Sequence, residues 1–243
     1  MAIGYIRKNA AVGKAVSLTS VATGSLVVSM VTVWDGSGTP TLSDGDNAPD
    51  GYGAFYNSST QQGIRFGYWL SSPKSGSVTY TWTAASWGGG ETCVFEASHT
   101  GEMTLDGSGY GATGSSVTGT SGAATSAETS MVAFGGMGQY GTSAYSSATL
   151  DGEAVDQATS ANDAGHQDWG GMTMRVMSNP GTYTSAITVA SATDLWVADV
   201  IAFKEAVAGG GLTFAATDAQ GTQADSTGGF RTMAAALSDN LNA

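Results

Sequence analysis

The sequence predicts an all-β fold of antiparallel strands, and three observations support it. Apolar and polar residues alternate in several short segments, 36 of the 243 residues are glycine, and turn dipeptides separate the segments. Charged residues make up only 12% of the chain, whereas a disordered chain carries more charge and fewer aromatic residues. The length allows one large all-β domain or two small ones.

The segment VTYTWTA (78–84) gives the plainest strand signal, because Val, Tyr and Trp alternate with threonine. TYTSAITV (182–189) and GMTMRVM (171–177) follow the same alternation. Two other segments, 25–34 and 195–203, are apolar on nearly both faces, which is typical of central strands covered on both sides. Such strands at short spacing indicate a sandwich or a barrel. The residues that we expect to be buried between two sheets are Val28, Met30, Trp82, Phe95, Ile187, Val197, Ile201 and Phe203.

Turn dipeptides such as Asp151-Gly152 separate the strands. Two longer segments, 106–127 and 151–170, are rich in polar residues. We interpret both as long surface loops, and the first of them contains no more than one weak edge strand.

Charge and targeting signals restrict the partners and the location. The net charge of −12 argues against a nucleic-acid partner. Three basic residues, Arg7, Lys8 and Lys14, indicate either a solvated N-terminal strand or a basic patch that docks on an acidic neighbour, so residues 1–13 are a candidate N-terminal arm. Since the N-terminus lacks the apolar segment of a secretion signal and no run is long enough to span a membrane, we expect a protein made and kept in a cytoplasm.

The only cysteine, Cys93, excludes an intrachain disulfide. It alternates with Phe95 and Ala97, so we expect a buried structural thiol.

The loop SDGDNAPDG (43–51) is the only metal candidate that the sequence offers. Asp44, Asp46 and Asp50 have the oxygen ligands that calcium prefers. The loop lacks the distal glutamate of an EF-hand, and its residues are also those of an ordinary turn. We therefore favour a turn, and we expect no metal and no cofactor.

Two tryptophans beside glycines, Trp87 and Trp169, are candidates for stacking on a sugar. His166 and Asp168 precede Trp169 and suggest an acid–base pair, but no nucleophile motif accompanies them. Most tryptophans in a sandwich are core or interface residues, so we expect surface glycans only as an alternative ligand.

Pairs of carboxylates are the remaining catalytic candidates. Glu91 with Glu96, or Asp151 with Glu153, has the composition of a glycosidase pair, but a chain with 20 acidic residues forms such pairs by chance. The GGG segments lack the Lys-Ser/Thr of a phosphate loop. The sequence therefore predicts a protein that is not an enzyme.

After the sandwich-like region 1–206, a glycine hinge leads into a tail, 207–243, with few apolar residues. LTFAAT (212–217) has strand alternation, and the last fourteen residues have the spacing of a short amphipathic helix. A frayed terminus is the ordinary interpretation. The alternative is an assembly arm that docks on a neighbour by strand addition or as a helix in a groove. Its apolar residues are Leu212, Phe214, Phe230, Met233, Leu237 and Leu241.

The order of several segments resembles a family of phage-associated jelly-roll domains, which are concanavalin-type β-sandwiches. The resemblance begins with VATGSLVVSMVTVWDG and continues through GIRFGYWLSSPKSGSVTYTWTAASWGGGETCVFEAS, where Val94, Glu96 and Ser98 fit the family's V-x-E-x-S-like strand. TSAETSMVAFGGMG and GTYTSAITVASATDLWVADVIAFKEA resemble its closing strands, so the likeness covers residues 14–206.

The resemblance implies an antiparallel jelly-roll sandwich over residues 1–206. The region after Glu205 departs from the family's pattern, and its own residues predict an extended arm and a short helix. The family has no fixed catalytic residues, and its members are capsid decorations, fibres and tail accessory parts. We therefore expect a phage structural protein that is assembled in the host cytoplasm into the virion, contacts other virion proteins and forms a homo-oligomer. The alternatives are a carbohydrate-binding lectin-like module and a subunit of an extracellular filament.

Overall fold

The computed structural model describes residues 3–34, 38–57, 62–107, 111–126, 128, 130–141, 145–190 and 195–206. The chain divides into two compact units, Met1–Glu205 and Ala206–Ala243. Apart from Ala206, the second unit lies outside the described residues, and so do the predicted C-terminal strand, helix and all six apolar residues of the assembly arm.

The first unit is all-β, as the sequence predicts, and every pair of neighbouring strands is antiparallel. The strands of residues 1–98 are β1 Gly4–Val12, β2 Ala15–Val21, β3 Leu26–Trp34, β4 Thr41–Ser43, β5 Gly51–Tyr52, β6 Tyr56–Asn57, β7 Gln62–Trp69, β8 Gly76–Thr83 and β9 Glu91–Ser98. Those that follow are β10 Met103–Gly107, β11 Ala112–Gly114, β12 Thr118–Thr120, β13 Ala124–Ser126, β14 Met131–Tyr140, β15 Tyr145–Leu150, β16 Glu153–Ala154, β17 Gln157–Asp163, β18 Asp168–Met177, β19 Gly181–Tyr183, β20 Ser185–Val189 and β21 Leu195–Glu205.

Each half of this unit contains one large sheet and a smaller three- or four-stranded one. In the first half, sheet A has the order β1-β9-β3-β7-β5, with β6 beside β7, and sheet B has the order β2-β8-β4. In the second half, sheet C has the order β10-β21-β14-β18-β17, with β11 also beside β21, and sheet D has the order β12-β20-β15-β16. A short pair, β13-β19, completes the second half.

The same strand order occurs twice along the chain. The order β1-β9-β3-β7 of sheet A corresponds to β10-β21-β14-β18 of sheet C, and β2-β8-β4 of sheet B corresponds to β12-β20-β15 of sheet D. Every sheet draws its strands from one half only. The described part of the chain therefore contains two sets of antiparallel sheets with matching strand order.

Four apolar clusters show how the sheets are layered. The central cluster joins sheets A and C and contains Phe66, Phe95, Phe134 and Phe203, none of which is exposed. A second cluster joins sheets A and B. Two more clusters lie on the other face of sheet C, where sheet D and the β13-β19 pair cover it. Sheets A and C are thus covered on both faces.

This layering explains why β3 and β21 are apolar on both faces, as predicted. In β3, Val28 and Met30 point into the central cluster, while Val27 and Val31 point toward sheet B. All eight residues predicted for the core are buried. They occupy three spaces rather than one, because Trp82 lies between sheets A and B and Ile187 lies against sheet C from sheet D.

Close contact between the central sheets requires a glycine at one point. A Cβ atom on Gly136 of β14 would lie 2.3 Å from Met30 Sδ and 2.8 Å from Phe66 Cζ. A larger residue there would force the Met30 and Phe66 side chains to shift within the tightly packed central layer.

The N-terminal segment is a strand of sheet A rather than a separate arm in its described part. Residues 4–12 pair with β9. Arg7 forms an ion pair with the buried Glu96, whose other oxygen accepts hydrogen bonds from Ala22 N–H and the Ser25 hydroxyl. Lys8 donates to the Gln157 side chain at 2.7 Å. These two cations therefore have partners within the chain.

The interpretation of the two polar segments as surface loops is wrong in part. Residues 106–127 contain β11, β12 and β13, and residues 151–170 contain β16, β17 and the start of β18. Backbone groups make the ladder hydrogen bonds, so Ser-, Thr- and Ala-rich segments pair as strands without an apolar face of their own. The turn prediction is confirmed at Asp151 and Gly152, whose φ angles of 59° and 74° suit the two-residue hairpin between β15 and β16.

Within the described residues, no helix is long and apolar enough to cross a bilayer.

Replacement of Phe203 by alanine tests the central packing. The side chain is fully buried and lies 4.9 Å from the Tyr68 ring and 6.0 Å from the Phe134 ring, centroid to centroid. We expect Phe203→Ala to lower the free energy of unfolding by about 3–5 kcal/mol in urea denaturation. The control Val117→Ala, at a position that is 40% exposed, should change it by less than about 0.5 kcal/mol. Equal unfolding midpoints for Phe203→Ala and the wild type would contradict the packing.

Candidate functional site

A small polar cleft lies where the two halves meet at one end of sheets A and C. Its volume is about 10 Å³, room for about one water molecule. Thr32, Gln62 and Glu91 line it from the first half and Asp168 from the second. Trp34, which also lines the cleft, stacks on Tyr140 with ring centroids 4.7 Å apart and an interplanar angle of 21°.

The cleft is formed by corresponding ends of corresponding strands. Trp34 at the end of β3 pairs with Gln62 at the start of β7. Tyr140 at the end of β14 pairs with Asp168 at the start of β18. Gln62 and Asp168 therefore occupy matching positions in the two halves, as the stacked Trp34 and Tyr140 do.

Gln62 connects the halves through its side-chain amide. With the amide oriented to satisfy the hydrogen-bond network, its nitrogen donates to the Leu195 carbonyl at 3.1 Å. Its oxygen accepts a hydrogen bond from Tyr140 N–H. A first-half side chain thus bonds to the backbone of β14 and β21, and the side chain is 4% exposed.

Glu91 is a fully buried carboxyl with two donors. The Thr32 hydroxyl donates to Oε2 at 2.7 Å, and the Asp163 backbone N–H donates to Oε1 at 3.2 Å. Burial raises the pKa of Glu91 to about 8, and the charges of Asp168 and Asp163 add to the effect while the hydrogen bonds oppose it. Glu91 is therefore largely protonated near neutral pH.

Asp168 is 3% exposed, and neither of its carboxyl oxygens has a hydrogen-bond partner among the described residues. Burial raises its pKa to about 7, with a further rise from Asp163 that His166 opposes. Asp168 therefore titrates close to neutrality.

His166 pairs with Asp163 rather than with Asp168, the partner that the sequence suggests. Its Nδ1 lies 2.6 Å from Asp163 Oδ2, and this contact raises the pKa of His166 and lowers that of Asp163. The imidazole is half exposed, at 53% of its side chain. The pair lies at the turn between β17 and β18 and orders that turn.

The two candidate sugar-stacking tryptophans have different environments. Trp169 is 1% exposed and packs with Met137, Ile187 and Trp196 between sheets C and D, so it presents no free face. Trp87 is half-buried against the cluster between sheets A and B, and Lys14 Nζ lies 5.5 Å from its ring centroid.

Donors within the chain satisfy the acidic loop 43–51. The Asp44 carboxylate accepts hydrogen bonds from the backbone of Asp46 and from the backbone and side chain of Asn47, as in an Asx turn. Asp46 forms an ion pair with Lys74, and Asp50 accepts from Leu70 N–H at 2.7 Å. Among the described residues, no group of three or more His, Cys, Asp or Glu side chains could hold a metal ion.

The structure separates one of the carboxylate pairs that the sequence suggests and leaves the other exposed to solvent. Glu91 and Glu96 point to opposite faces of β9, toward sheet C and sheet B respectively, as their partners show. Asp151 and Glu153 are exposed on the β15–β16 hairpin. Cys93 is fully buried in the central cluster, and burial raises the pKa of its thiol.

Sequence reasoning missed Gln62 and the meeting of Glu91 with Asp168. The signal that was available is the correspondence of the halves, since SLVVSMVTVW and SMVAFGGMGQY both precede a strand, a turn and a Thr-rich strand.

The comparisons with known proteins give no relative. The chain matches no protein-family model, and the searches of curated proteins and of solved structures found no match.

Replacement of Glu91 by glutamine tests its protonation. Because the pKa of Glu91 rises from 4.5 in the unfolded chain to about 8 in the folded protein, the folded state holds a proton that the unfolded chain releases. Glu91 therefore lowers the free energy of unfolding as pH rises from about 4.5 to about 8, by on the order of 5 kcal/mol. The glutamine side chain of Glu91→Gln stays neutral at every pH. The free energy of unfolding of this variant should therefore fall less between about pH 5 and about pH 9 than that of the wild type.

Urea denaturation at both pH values measures the difference. The matched control Glu153→Gln, at an exposed position, should keep the wild-type pH dependence. An unchanged pH dependence in Glu91→Gln would show that Glu91 is ionised in the folded protein.

Proposed function

We propose that this chain is a structural protein of a phage particle, a capsid decoration, head fibre or tail accessory protein, which assembles through residues 207–243. The observation that carries the proposal is the strand order that occurs twice. In the first half, strands 1, 9, 3 and 7 form one sheet and strands 2, 8 and 4 the other. This alternation supports a jelly roll in the first half, and the second half repeats the alternation. We therefore propose two jelly rolls in place of the single one expected over residues 1–206.

Jelly rolls of two facing sheets are used by viral capsid proteins and by lectins. Four layers of long antiparallel strands, with both central sheets covered, suit a rigid structural part. The cleft with the buried carboxyls has room for about one water, so it is too small to seat a sugar or a peptide for reaction. These features favour a structural role over an enzymatic one.

The tail supplies the means of assembly in this proposal. Among the described residues, the members of the four core clusters lie between Ile3 and Phe203, and we propose that residues 1–206 fold without the tail. The six apolar tail residues named above would then be buried against a neighbour. At roughly 25 cal/mol per Å² of apolar surface, burial of half of them would contribute several kcal/mol, less the cost of ordering the linker. The neighbour is another virion protein or a second copy of the chain.

A carbohydrate-binding lectin-like module is the second candidate, because lectins share the jelly-roll order. Trp87 carries this alternative, since it is only half-buried whereas Trp169 lies in the core. A filament subunit joined by donated strands is a third.

Removal of the tail separates assembly from ligand binding. We expect a chain that ends at Ala206 to keep the wild-type melting temperature but to lose incorporation into particles and self-association in sedimentation velocity. Normal incorporation and association of the shortened chain would contradict the assembly arm.

The same shortened chain tests the lectin alternative on a glycan array. Glycan binding that survives the truncation and is lost in Trp87→Ala would favour the lectin-like module. The buried Trp169 cannot serve as the matched control, because its replacement would disturb the core. The exposed Val117→Ala serves instead.

A further inference from the structure

We infer that Asp168 is a proton-dependent clasp between the two halves, which holds them together at the cleft when its carboxyl is protonated and releases them there when it is ionised. The inference does not depend on the proposed function. It rests on the matching positions of Gln62 and Asp168 and on the burial of Asp168, whose carboxyl has no hydrogen-bond partner in the part of the chain that the structure describes.

Gln62, at the position in the first half that matches Asp168, connects the two halves by hydrogen bonds. It reaches from the first half to the backbone of the second, where it donates to the Leu195 carbonyl and accepts from Tyr140 N–H. Tyr140 and Leu195 are themselves register partners of β14 and β21. A group that both donates and accepts therefore joins two sheets at the end of a strand pair.

The matching backbone groups in the first half are those of Trp34 and Gly89. They form the corresponding bridge, in which Trp34 N–H donates to the Gly89 carbonyl at 3.0 Å. Asp168 faces this bridge, since its Oδ2 lies 2.8 Å from where a Cβ atom of Gly89 would be. Glycine at this position leaves space for the carboxyl, and any side chain there would displace it.

The protonation state decides whether Asp168 acts as Gln62 does. A carboxylic acid donates one hydrogen bond and accepts others, as an amide does, whereas a carboxylate only accepts. The protonated form can therefore donate to the first-half backbone. The ionised form has no hydrogen to give, and its charge is buried without a donor among the described residues.

The titratable groups around Asp168 come from three elements. Glu91 faces the same cleft from β9, Asp163 lies at the end of β17, and His166 lies in the turn before β18. His166 is the only basic group among them, and its imidazole contacts Asp163. Ionised Asp168 thus faces two other carboxyls, and ionisation is disfavoured while the cleft is closed.

The direction of the pH effect follows from linkage. Burial raises the pKa of Asp168 from 3.8 to about 7, so the closed cleft holds a proton that the open one releases. Opening should become about tenfold more favourable for each pH unit between about 4 and about 7, and should level off above that range. The central cluster holds the sheets together throughout, so the opening is confined to the strand ends beside Trp34 and Tyr140.

Hydrogen exchange at single residues tests the clasp. Protection factors of the Trp34 and Tyr140 amides are measured between about pH 5 and about pH 8 in Glu91→Gln, which removes the second titrating carboxyl. We expect them to fall about tenfold per pH unit up to about pH 7. The amides of Ile201 and Phe203, which lie in the central cluster, should keep the same protection factors over this pH range. Equal changes at all four amides would mean global unfolding and would overturn the local clasp.

Two reciprocal variants identify the residue. In the first variant, Asp168→Asn is combined with Glu91→Gln, so that position 168 carries an amide that does not titrate. The protection factors of the Trp34 and Tyr140 amides should then no longer depend on pH. Gln62→Glu places a carboxyl at the matching position and should add a new pH dependence at Tyr140. A pH dependence that persists in Asp168→Asn, or one that is unchanged by Gln62→Glu, would overturn the inference. If Asp168→Asn does not fold, Gln62→Glu decides it alone.

Discussion

The structure depends on the face-to-face packing of sheets A and C. Each half has one outer sheet that covers only one face of its large sheet, so the other face of each large sheet is buried only against the partner half. Four phenylalanines and several methionines fill the central layer, and Gly136 lets the two sheets approach. Burial of apolar surface on this scale is the main stabilising contribution in a protein with no disulfide.

The cleft forms at the end of sheets A and C, where the packing between the two sheets stops. Strands β7, β9 and β18 begin at this end of sheets A and C with the polar residues Gln62, Glu91 and Asp168, and the junction encloses their side chains. Gln62 satisfies the backbone across the junction, Glu91 is held by Thr32, and Asp168 has no hydrogen-bond partner among the described residues. Since an ionised carboxyl is costly in such a place, burial at the junction favours the protonated forms of Glu91 and Asp168.

The sequence predicts the parts of the fold that follow from local periodicity. The alternation in β8 identifies its buried face, and the two-sided apolar pattern of β3 and β21 identifies the central strands, because each signal lies within a few residues. The four layers were not predicted, since a two-sided apolar strand does not say which sheets cover it. Glu91 and Asp168 were not paired, because their proximity arises only when the two halves meet.

The central claim is that each half needs the other to bury its large sheet. Separate expression of residues 1–100 and 101–206 tests it most directly, with sedimentation velocity and circular dichroism of each piece and of the mixture. The account predicts that each piece alone is unfolded or aggregates, and that the mixture forms a folded one-to-one complex. If residues 1–100 alone form a folded monomer, and remain a monomer when residues 101–206 are added, the claim is contradicted.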